Sequence, residues 1–242
     1  MAKVVWISHR GLNQQHVENT QLAFDAAVAA GFVCLETDLR TTLDGHIVLH
    51  HDSSMKRTAN SEKTIERITC KAFKQIQLID GQCGMTFLEF VERYAALNWI
   101  FDIKPESGAK TLQVLKDWAK LNQTETRLLK QARFLLWQRD HEKLLRAYFP
   151  KAITLANQWE CRRAGFAALL GMPSLGGIRE NRCYAVPPRF FGQELFAESF
   201  FRAYHKRGAR VLAYLPEKAE DIRRAQEAGA DEILTNGKPI EI

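Results

Sequence analysis

The sequence predicts an α/β chain folded as a (β/α)8 TIM barrel, and three observations lead there. Eight short runs of apolar, β-branched or aromatic residues recur along 242 residues, with helical patterns between most of them. Such alternation means a mostly parallel sheet, because a parallel pair of strands needs a crossover between them. The runs are apolar nearly throughout, as expected of strands covered on both faces, and eight of them in this length suit a closed barrel. A doubly wound open sheet shares the alternation, but no GxGxxG follows the first run, so a dinucleotide fold lacks its main signal.

In order, the expected strands are Val4–Ser8, Phe32–Asp38, Trp99–Lys104, Arg133–Trp137, Ile153–Asn157, Cys183–Pro188, Arg210–Leu215 and Glu232–Asn236. Helical patterns lie at Gln21–Ala30, Thr86–Leu97, Ala109–Leu121, His141–Tyr148, Gln193–Lys206 and Glu217–Ala228. Gly31 and Gly229 each follow an Ala-rich helix and precede a strand, which places them at the C′ position in the left-handed conformation. One segment breaks the alternation. HIVLHH follows LETDLR after TTLDG, too short for a helix. Asp44-Gly45 reads as a two-residue type I′ turn, whose central residues need positive φ. Residues 46–51 should then fold back on residues 38–43 as a short β-hairpin insertion after the second strand.

With 46% hydrophobic residues the chain can bury one sizeable core, and no Pro/Gly/Ser-rich linker or low-complexity tract marks a boundary, so residues 1–242 are expected to form a single domain. The net charge of +6 comes from Lys and Arg spread along the chain. It favours anionic partners. A small phosphate-bearing molecule fits; nucleic acid is disfavoured, because basic and aromatic residues do not interleave. Five scattered cysteines, with no CxxC spacing, weigh against a disulfide framework or a zinc site and fit a reducing cytoplasm. The start, MAKVVWISHRG, does not read as a leader, and no run reaches the ~18 apolar residues of a span. A cytoplasmic location without stable membrane insertion is expected, and the oligomeric state is left open.

The hairpin carries the chemistry. With Asp44-Gly45 as the loop, Leu43 faces His46 and, counting outward, Asp38 faces His51. Glu36 and Asp38 share a face because strand side chains alternate with period two. The turn gathers Glu36, Asp38 and His51 at the end of the second strand, on the face where barrel active sites sit. Hard divalent cations want several carboxylate oxygens. The third strand ends in Asp102 and Lys104, again two apart, and supplies another. The first strand ends in His9-Arg10-Gly11. Two histidines across a metal site suggest a general acid and a general base. Arg10 and Lys104 add fixed positive charge suited to a phosphoryl group. His50 should point away from His51 and serve structure, and His16 should be exposed on a loop. Phe190, Phe191, Phe196, Phe200 and Phe201 read as the core face of an amphipathic helix, the rival reading being an apolar patch for a lipid-like leaving group.

Together these pieces resemble the glycerophosphodiester phosphodiesterase family over nearly the whole chain. The ordered motifs are HRG (His9–Gly11), ENT (Glu18–Thr20), ETD (Glu36–Asp38), a DG turn, HD (His51–Asp52), RT (Arg57–Thr58), DIKPE (Asp102–Glu106) and GADEILTN (Gly229–Asn236). HRG alone is weak; HRG, ENT, ExD and HD at these spacings are specific. The size resembles that of cytoplasmic bacterial members. The resemblance implies a (β/α)8 barrel with a small insertion after HD, and metal-dependent hydrolysis of glycerophosphodiesters to glycerol 3-phosphate and an alcohol. It implies His9 and His51 as the catalytic acid/base pair, and Glu36, Asp38 and Asp102 as ligands of Mg²⁺ or Ca²⁺. Arg10 and Lys104 would bind the substrate phosphate. A lysophospholipase D-type activity on lysolipids, or a degenerate barrel that binds phosphodiesters without turnover, are the alternatives.

The chain departs from the family pattern in several places. Val17 stands where ENT usually follows proline, and Asp102 stands for the usual Glu, one methylene shorter. Trp137-Gln138 replaces Ser-Phe after the fourth strand. Leu215-Pro216-Glu217 follows Tyr214 instead of TVN, and Asn236 replaces an acid. The loop Gln77–Met85 is shorter than usual. These changes bear on the substrate more than on the reaction.

Overall fold

A computed structural model describes residues 4–240, and its elements follow the expected alternation. The described residues divide into two compact units, one formed by Ser8–Ile153 and the other by residues 4–7 and 154–240. The division falls inside the first strand, β1 (Val5–His9).

In the first unit β1 is followed by α1 (Gln21–Ala29), β2 (Cys34–Thr41), β3 (Ile47–Leu49), α2 (Lys56–Ala59), α3 (Cys70–Gln75), α4 (Phe87–Arg93), β4 (Asn98–Ile103), α5 (Gly108–Leu121), α6 (Glu125–Gln131), β5 (Ala132–Leu136) and α7 (Arg139–Tyr148). β2, β4 and β5 are parallel neighbours, with Asp38 beside Asp102 and Phe101 beside Phe134 in register. Every residue of β2 is buried, and its polar side chains Thr37, Arg40 and Thr41 are hydrogen-bonded to Asn19, Glu66 and Thr111. An aromatic cluster fills the space behind this sheet: Phe24, Phe90, Tyr94, Trp99 and Phe101 contact one another at ring-centroid distances of 4.9–6.3 Å. Helix α4 starts where Thr86 caps Glu89 and Glu89 returns the bond, a capping box. Gly31 closes α1 as expected, with φ +89°. Its N–H reaches Val28 and that of Phe32 reaches Ala27, the paired bonds of a Schellman motif. The segment after β3 builds a satellite core of Val48, Met55, Ile65, Phe73 and Leu78.

The hairpin exists, but its register differs by one from the expected pairing. β2 and β3 pair antiparallel with Leu39 opposite Leu49 and Thr41 opposite Ile47. The loop has three residues. Thr42 N–H bonds to His46 O, and only Gly45 has positive φ. Asp44 instead lends its carboxylate to Thr42 Oγ1 and Cys70 N–H. A type I turn closed by a left-handed glycine replaces the type I′ turn, and the extra residue sets Asp38 opposite His50: His50 N–H bonds to Asp38 O at 3.1 Å.

The boundary also falls inside β6 (Ile153–Thr154), after which the second unit holds α8 (Gln158–Leu169), β7 (Cys183–Val186), β8 (Arg189–Phe190), β9 (Gln193–Glu194), α9 (Glu198–His205), β10 (Arg210–Tyr214), α10 (Ala219–Glu227) and β11 (Glu232–Thr235). β7, β10 and β11 are parallel neighbours. β6 is shorter than the run Ile153–Asn157 because Asn157 leaves the strand to cap α8, exchanging bonds with Glu160. The helix expected over Gln193–Lys206 begins only at Glu198. Before it, β8 and β9 form a small hairpin whose turn, Phe191-Gly192, has φ +46° and +75°. Phe196, Phe200 and Phe201 pack with Tyr184, Tyr204, Val211 and Ile233 as core, whereas Phe191 is exposed. Among the described residues no helix is long and apolar enough to cross a membrane.

Candidate active site

The acids, histidines and cations singled out for chemistry lie in the unit Ser8–Ile153, at the C-terminal ends of β1 and β4, within β2 or just beyond β3. Local backbone chemistry explains why the motifs read as they do. After His9 the chain turns sharply: Arg10 and Gly11 have φ +58° and +84°. A Cβ on Gly11 would lie 2.5 Å from the backbone of Ala23 in α1, so only glycine fits. Asn19 is also left-handed, at φ +57°, a conformation asparagine tolerates. Its amide nitrogen donates to Asp38 Oδ2 at 2.8 Å while its oxygen accepts from Thr37 Oγ1 at 2.8 Å. Thr20 caps α1 through Ala23 N–H. ENT is therefore a positioning device: Asn19 aims Asp38, Thr20 starts the helix, and Glu18 takes two arginines.

The three acids come together because of sheet register. Asp38 and Asp102 are direct neighbours on β2 and β4, and Glu36 lies one pleat earlier on the same face of β2. One oxygen from each of Glu36, Asp38 and Asp102 lies within 4.8 Å of the other two, and all three residues are buried. Lys104 Nζ bridges Asp38 Oδ1 at 2.7 Å and Asp102 Oδ2 at 2.6 Å. Arg10 Nε reaches Asp38 Oδ2 at 2.9 Å. Trp137 Nε1 donates to Asp102 Oδ1 at 2.7 Å. Glu36 stands apart: its Oε2 accepts no hydrogen bond, and His9 Nε2 lies 3.9 Å from it.

The proton affinities follow. Burial and the Asp38 carboxylate hold Glu36 well above the usual range, against the pull of Arg10. Burial would raise Asp38 too, but Lys104, Arg10 and His51 outweigh it and leave Asp38 below the usual range. Burial keeps Asp102 above its usual value despite Lys104. Lys104 is held above its own usual value because Asp38 and Asp102 outweigh its burial. Two cations face three buried carboxylates, so the carboxylates outnumber the cations, and Glu36 Oε2 is a buried oxygen with no donor. That is the chemistry of a site completed by a cation, and three carboxylates suit a hard one.

His51 lies past the end of β3, where the chain bends, and it reaches the site by a route other than strand pairing. Its Nδ1 is 2.7 Å from Asp52 Oδ1. Arg57 Nε holds the other Asp52 oxygen at 2.7 Å, and the Arg57 guanidinium also clamps Glu18 at 2.7 and 2.9 Å. Glu18 in turn meets Arg10 Nη1 at 3.2 Å. A continuous polar array therefore runs from His51 through Asp52, Arg57, Glu18, Arg10, Asp38, Lys104 and Asp102 to Trp137. The His51 carbonyl is fixed by the buried Arg40, which Glu66 and Glu106 hold at 2.8 and 3.1 Å. Glu106 is how the last letter of DIKPE contributes.

His50 serves structure, as expected, although it is the residue opposite Asp38 in the backbone ladder. Its ring is tied to Asp52 O at 2.7 Å and Thr58 Oγ1 at 2.9 Å, and burial lowers its proton affinity. The threonine of RT is thereby explained. Sequence reasoning gave no role to Asn19, Asp52 or Trp137. The first two sit inside quoted motifs, and Trp137 was visible only as a departure.

The sequence model of the glycerophosphoryl diester phosphodiesterase family matches residues 9–237, the span from the first histidine of the site to just past the last strand. The chain is 24% identical over 243 residues to a glycerophosphodiester phosphodiesterase of Caldanaerobacter subterraneus subsp. tengcongensis, covering 97% of this chain and 94% of that one. Among solved structures it resembles the glycerophosphoryl diester phosphodiesterase domain of an uncharacterized Mycobacterium tuberculosis protein, with TM-score 0.78 at 14% identity and coverage of 98% and 97%. It also resembles a phosphodiesterase of Oleispira antarctica solved with the product sn-glycerol-3-phosphate, with TM-score 0.75 at 18% identity and coverage of 96% and 93%. Likeness of this extent establishes the fold as the expected TIM barrel. Family match, fold and motif geometry agree, and the chain belongs to the glycerophosphoryl diester phosphodiesterase family.

Proposed function

We propose that this protein hydrolyses glycerophosphodiesters to glycerol 3-phosphate and an alcohol, using a divalent cation, Mg²⁺ or Ca²⁺, held by Glu36, Asp38 and Asp102. The observation that carries the reading is the buried acid trio whose Glu36 Oε2 has no donor, with His9 3.9 Å from Glu36 and with Arg10 and Lys104 held against Asp38. When bound, the cation would polarise a phosphate oxygen and make a hydroxyl more acidic.

The remaining work falls to the chain's own side chains. His9 and His51 are the acid/base pair: one takes the proton of the attacking hydroxyl, and the other gives a proton to the departing alcohol as the P–O bond breaks. The attacking hydroxyl belongs to water or to the glycerol 2-position; the second route passes through a cyclic phosphate. For His51 the structure favours a particular ring atom. Asp52 engages Nδ1, so that nitrogen carries the proton in the neutral ring and Nε2 is left to exchange protons with the reactants. Arg10 and Lys104 would bind the phosphoryl oxygens. Both are turned toward carboxylates, so an arriving phosphate shares cations that the acids already hold in place.

The test is release of glycerol 3-phosphate from a panel of deacylated glycerophosphodiesters, in EDTA and with Mg²⁺, Ca²⁺ or Mn²⁺, for the unaltered protein and for His9→Ala. Metal-dependent release that falls by about 10²–10⁴ in the variant is expected. Release only from lysolipids would replace the reading with a lysophospholipase D activity. Silence on both, with folded protein, would leave a barrel that binds without turnover.

A further inference from the structure

The second unit exposes a groove that the catalytic reading does not use. Helix α8, the 3₁₀ turn Pro173–Gly176 and the β8–β9 hairpin line a cavity of about 610 Å³, with Trp159, Arg162, Arg163, Phe166, Leu170 and Phe191 among its walls. Its apolar side chains are open to solvent: Phe191 is 81% exposed, Leu170 67% and Trp159 65%. Soluble surfaces scatter such residues singly; a contiguous set marks an interaction site. Three phenylalanines are assembled there. The Phe166, Phe190 and Phe191 rings lie 4.5–6.0 Å apart, centroid to centroid. Phe191 occupies a turn position of φ +46°, where asparagine or glycine would sit without cost and a bulky residue is uncommon. The turn thus lifts a large apolar ring outward at some expense to the backbone.

Charge says what the groove would meet. Residues 158–194 hold five arginines and three glutamates, with no lysine or aspartate. Two of the glutamates are already engaged. Glu160 is buried against Arg179 and Arg182, and Glu194 pairs with Arg189 and Arg224. Arg163 Nε holds the Gly176 carbonyl at 3.0 Å. Arg162 makes no ion pair among the described residues, so the charge offered among the exposed rings is positive. Aromatic and aliphatic side chains beside arginine are the composition of an element that lies in a bilayer interface: the rings enter the headgroup boundary and the guanidinium meets lipid phosphate. A second copy of this chain fits less well, because it would bring like charge to the same contact.

We propose that this groove is a peripheral docking surface for an anionic lipid bilayer, with Phe191, Trp159, Phe166 and Leu170 entering the interface and Arg162 facing the lipid phosphates. The proposal stands apart from the catalytic reading, whose residues all lie in Ser8–Ile153.

The experiment is co-sedimentation of the full chain with vesicles of phosphatidylcholine alone or mixed with phosphatidylglycerol, at low and raised salt. Binding to the anionic vesicles that salt weakens is expected. Phe191→Ser combined with Trp159→Ser should lower it by about tenfold or more. Arg162→Glu should lower it on anionic vesicles alone, and both variants should keep the unaltered rate on a soluble diester. Absence of binding to either vesicle overturns the proposal, as does binding that the double variant retains. A dimer in sedimentation velocity that the double variant disperses would assign the groove to a second copy instead. Should the double variant fail to fold, Phe191→Ser alone decides in the same way, since that ring is almost wholly in solvent.

Discussion

The ends of β1, β2 and β4 and the groove beside α8 carry opposite kinds of unfavourable exposure. At the strand ends charge is buried: Glu36, Asp38, Asp102 and Lys104 are nearly inaccessible. Beside α8 hydrocarbon is exposed: Phe191, Leu170 and Trp159 are mostly in solvent. A buried charge costs several kcal/mol unless it is paired, and exposed apolar area forgoes about 25 cal/mol per Å². The strand ends resolve most of their cost internally, through Lys104, Arg10, Asn19 and Trp137, and leave one oxygen of Glu36 over. The groove resolves little of its cost. The difference teaches that two unmet needs on one chain can call for partners of different scale. One unpaired carboxylate oxygen asks for an ion; a set of exposed rings asks for an extended surface.

The sharpest way to break the comparison is at His51. His51→Ala should lower kcat by about 10²–10⁴, the usual worth of a general acid or base, while Phe191→Ser leaves kcat unchanged. Asp52→Asn keeps the shape but removes the carboxylate that fixes the ring at Nδ1. It should cost less than His51→Ala. Steady-state kinetics reads both. A His51→Ala protein within threefold of the unaltered rate would remove His51 from the chemistry.

Next in size is Glu36→Gln, which tests the unmet need itself. In EDTA the sign runs against intuition. Burial and Asp38 hold Glu36 above the ordinary value, whereas in the unfolded chain it titrates near the ordinary glutamate value of about 4.3. Between the two values the native state binds more protons than the unfolded state, so stability falls as pH rises through that window. The variant has lost that fall. Its metal-free unfolding free energy should exceed that of the unaltered protein above the window, by an amount on the order of 1 kcal/mol, and match it more closely below. The same change should weaken Mg²⁺ or Ca²⁺ binding at least about tenfold. Denaturant melts in EDTA across pH, with calorimetry for the metal, measure the two halves. Parallel stability curves for the two proteins would mean that Glu36 is not held as a strained acid.

Much of this was legible in the sequence, because the barrel imposes period and position. Asp38 and Asp102 sit side by side since both end parallel strands, and Gly31 and Gly229 close their helices as C′ glycines at φ +89° and +87°. The hairpin shows where legibility stops. Asp44-Gly45 signals a turn but not its length, and one added loop residue moved the opposing partner of Asp38 from His51 to His50. His51 is fixed by contacts that local pairing does not contain: Arg40 holds its carbonyl and Asp52 its ring, with Arg57 holding Asp52 in turn. The expected helix over Gln193–Lys206 failed similarly, since Phe191-Gly192 makes a tight turn whose first residue has no turn propensity to announce it. Partners far apart in sequence, such as Trp137 and Asp102, leave no local periodicity at all.

The smallest effect lies at Trp137, a residue that belongs to both sides of the comparison. It is 45% exposed, like the aromatics of the groove, yet its indole N–H donates to Asp102 Oδ1 at 2.7 Å and Lys104 Nζ lies 5.7 Å from its ring centre. Trp137→Phe keeps an aromatic surface and removes only the donor. Asp102 is already held above its usual value by burial, and losing a hydrogen bond to its charged form pushes it further up. A carboxyl that ionises less readily binds a cation less well, so metal affinity should drop by about tenfold, within the range known for groups that orient ligands. The drop should be larger at lower pH, where protons compete for Asp102, and should shrink as pH rises. Calorimetric titration with Mg²⁺ and Ca²⁺ at two pH values separates this from a packing effect, which would be the same at both. A pH-dependent loss ties the aromatic that departs from the family pattern to the metal acid that also departs from it, with the donor of Trp137 holding in place the shorter side chain of Asp102. An unchanged affinity would return Trp137 to the class of exposed rings, and its place at the strand end would then concern what the site admits.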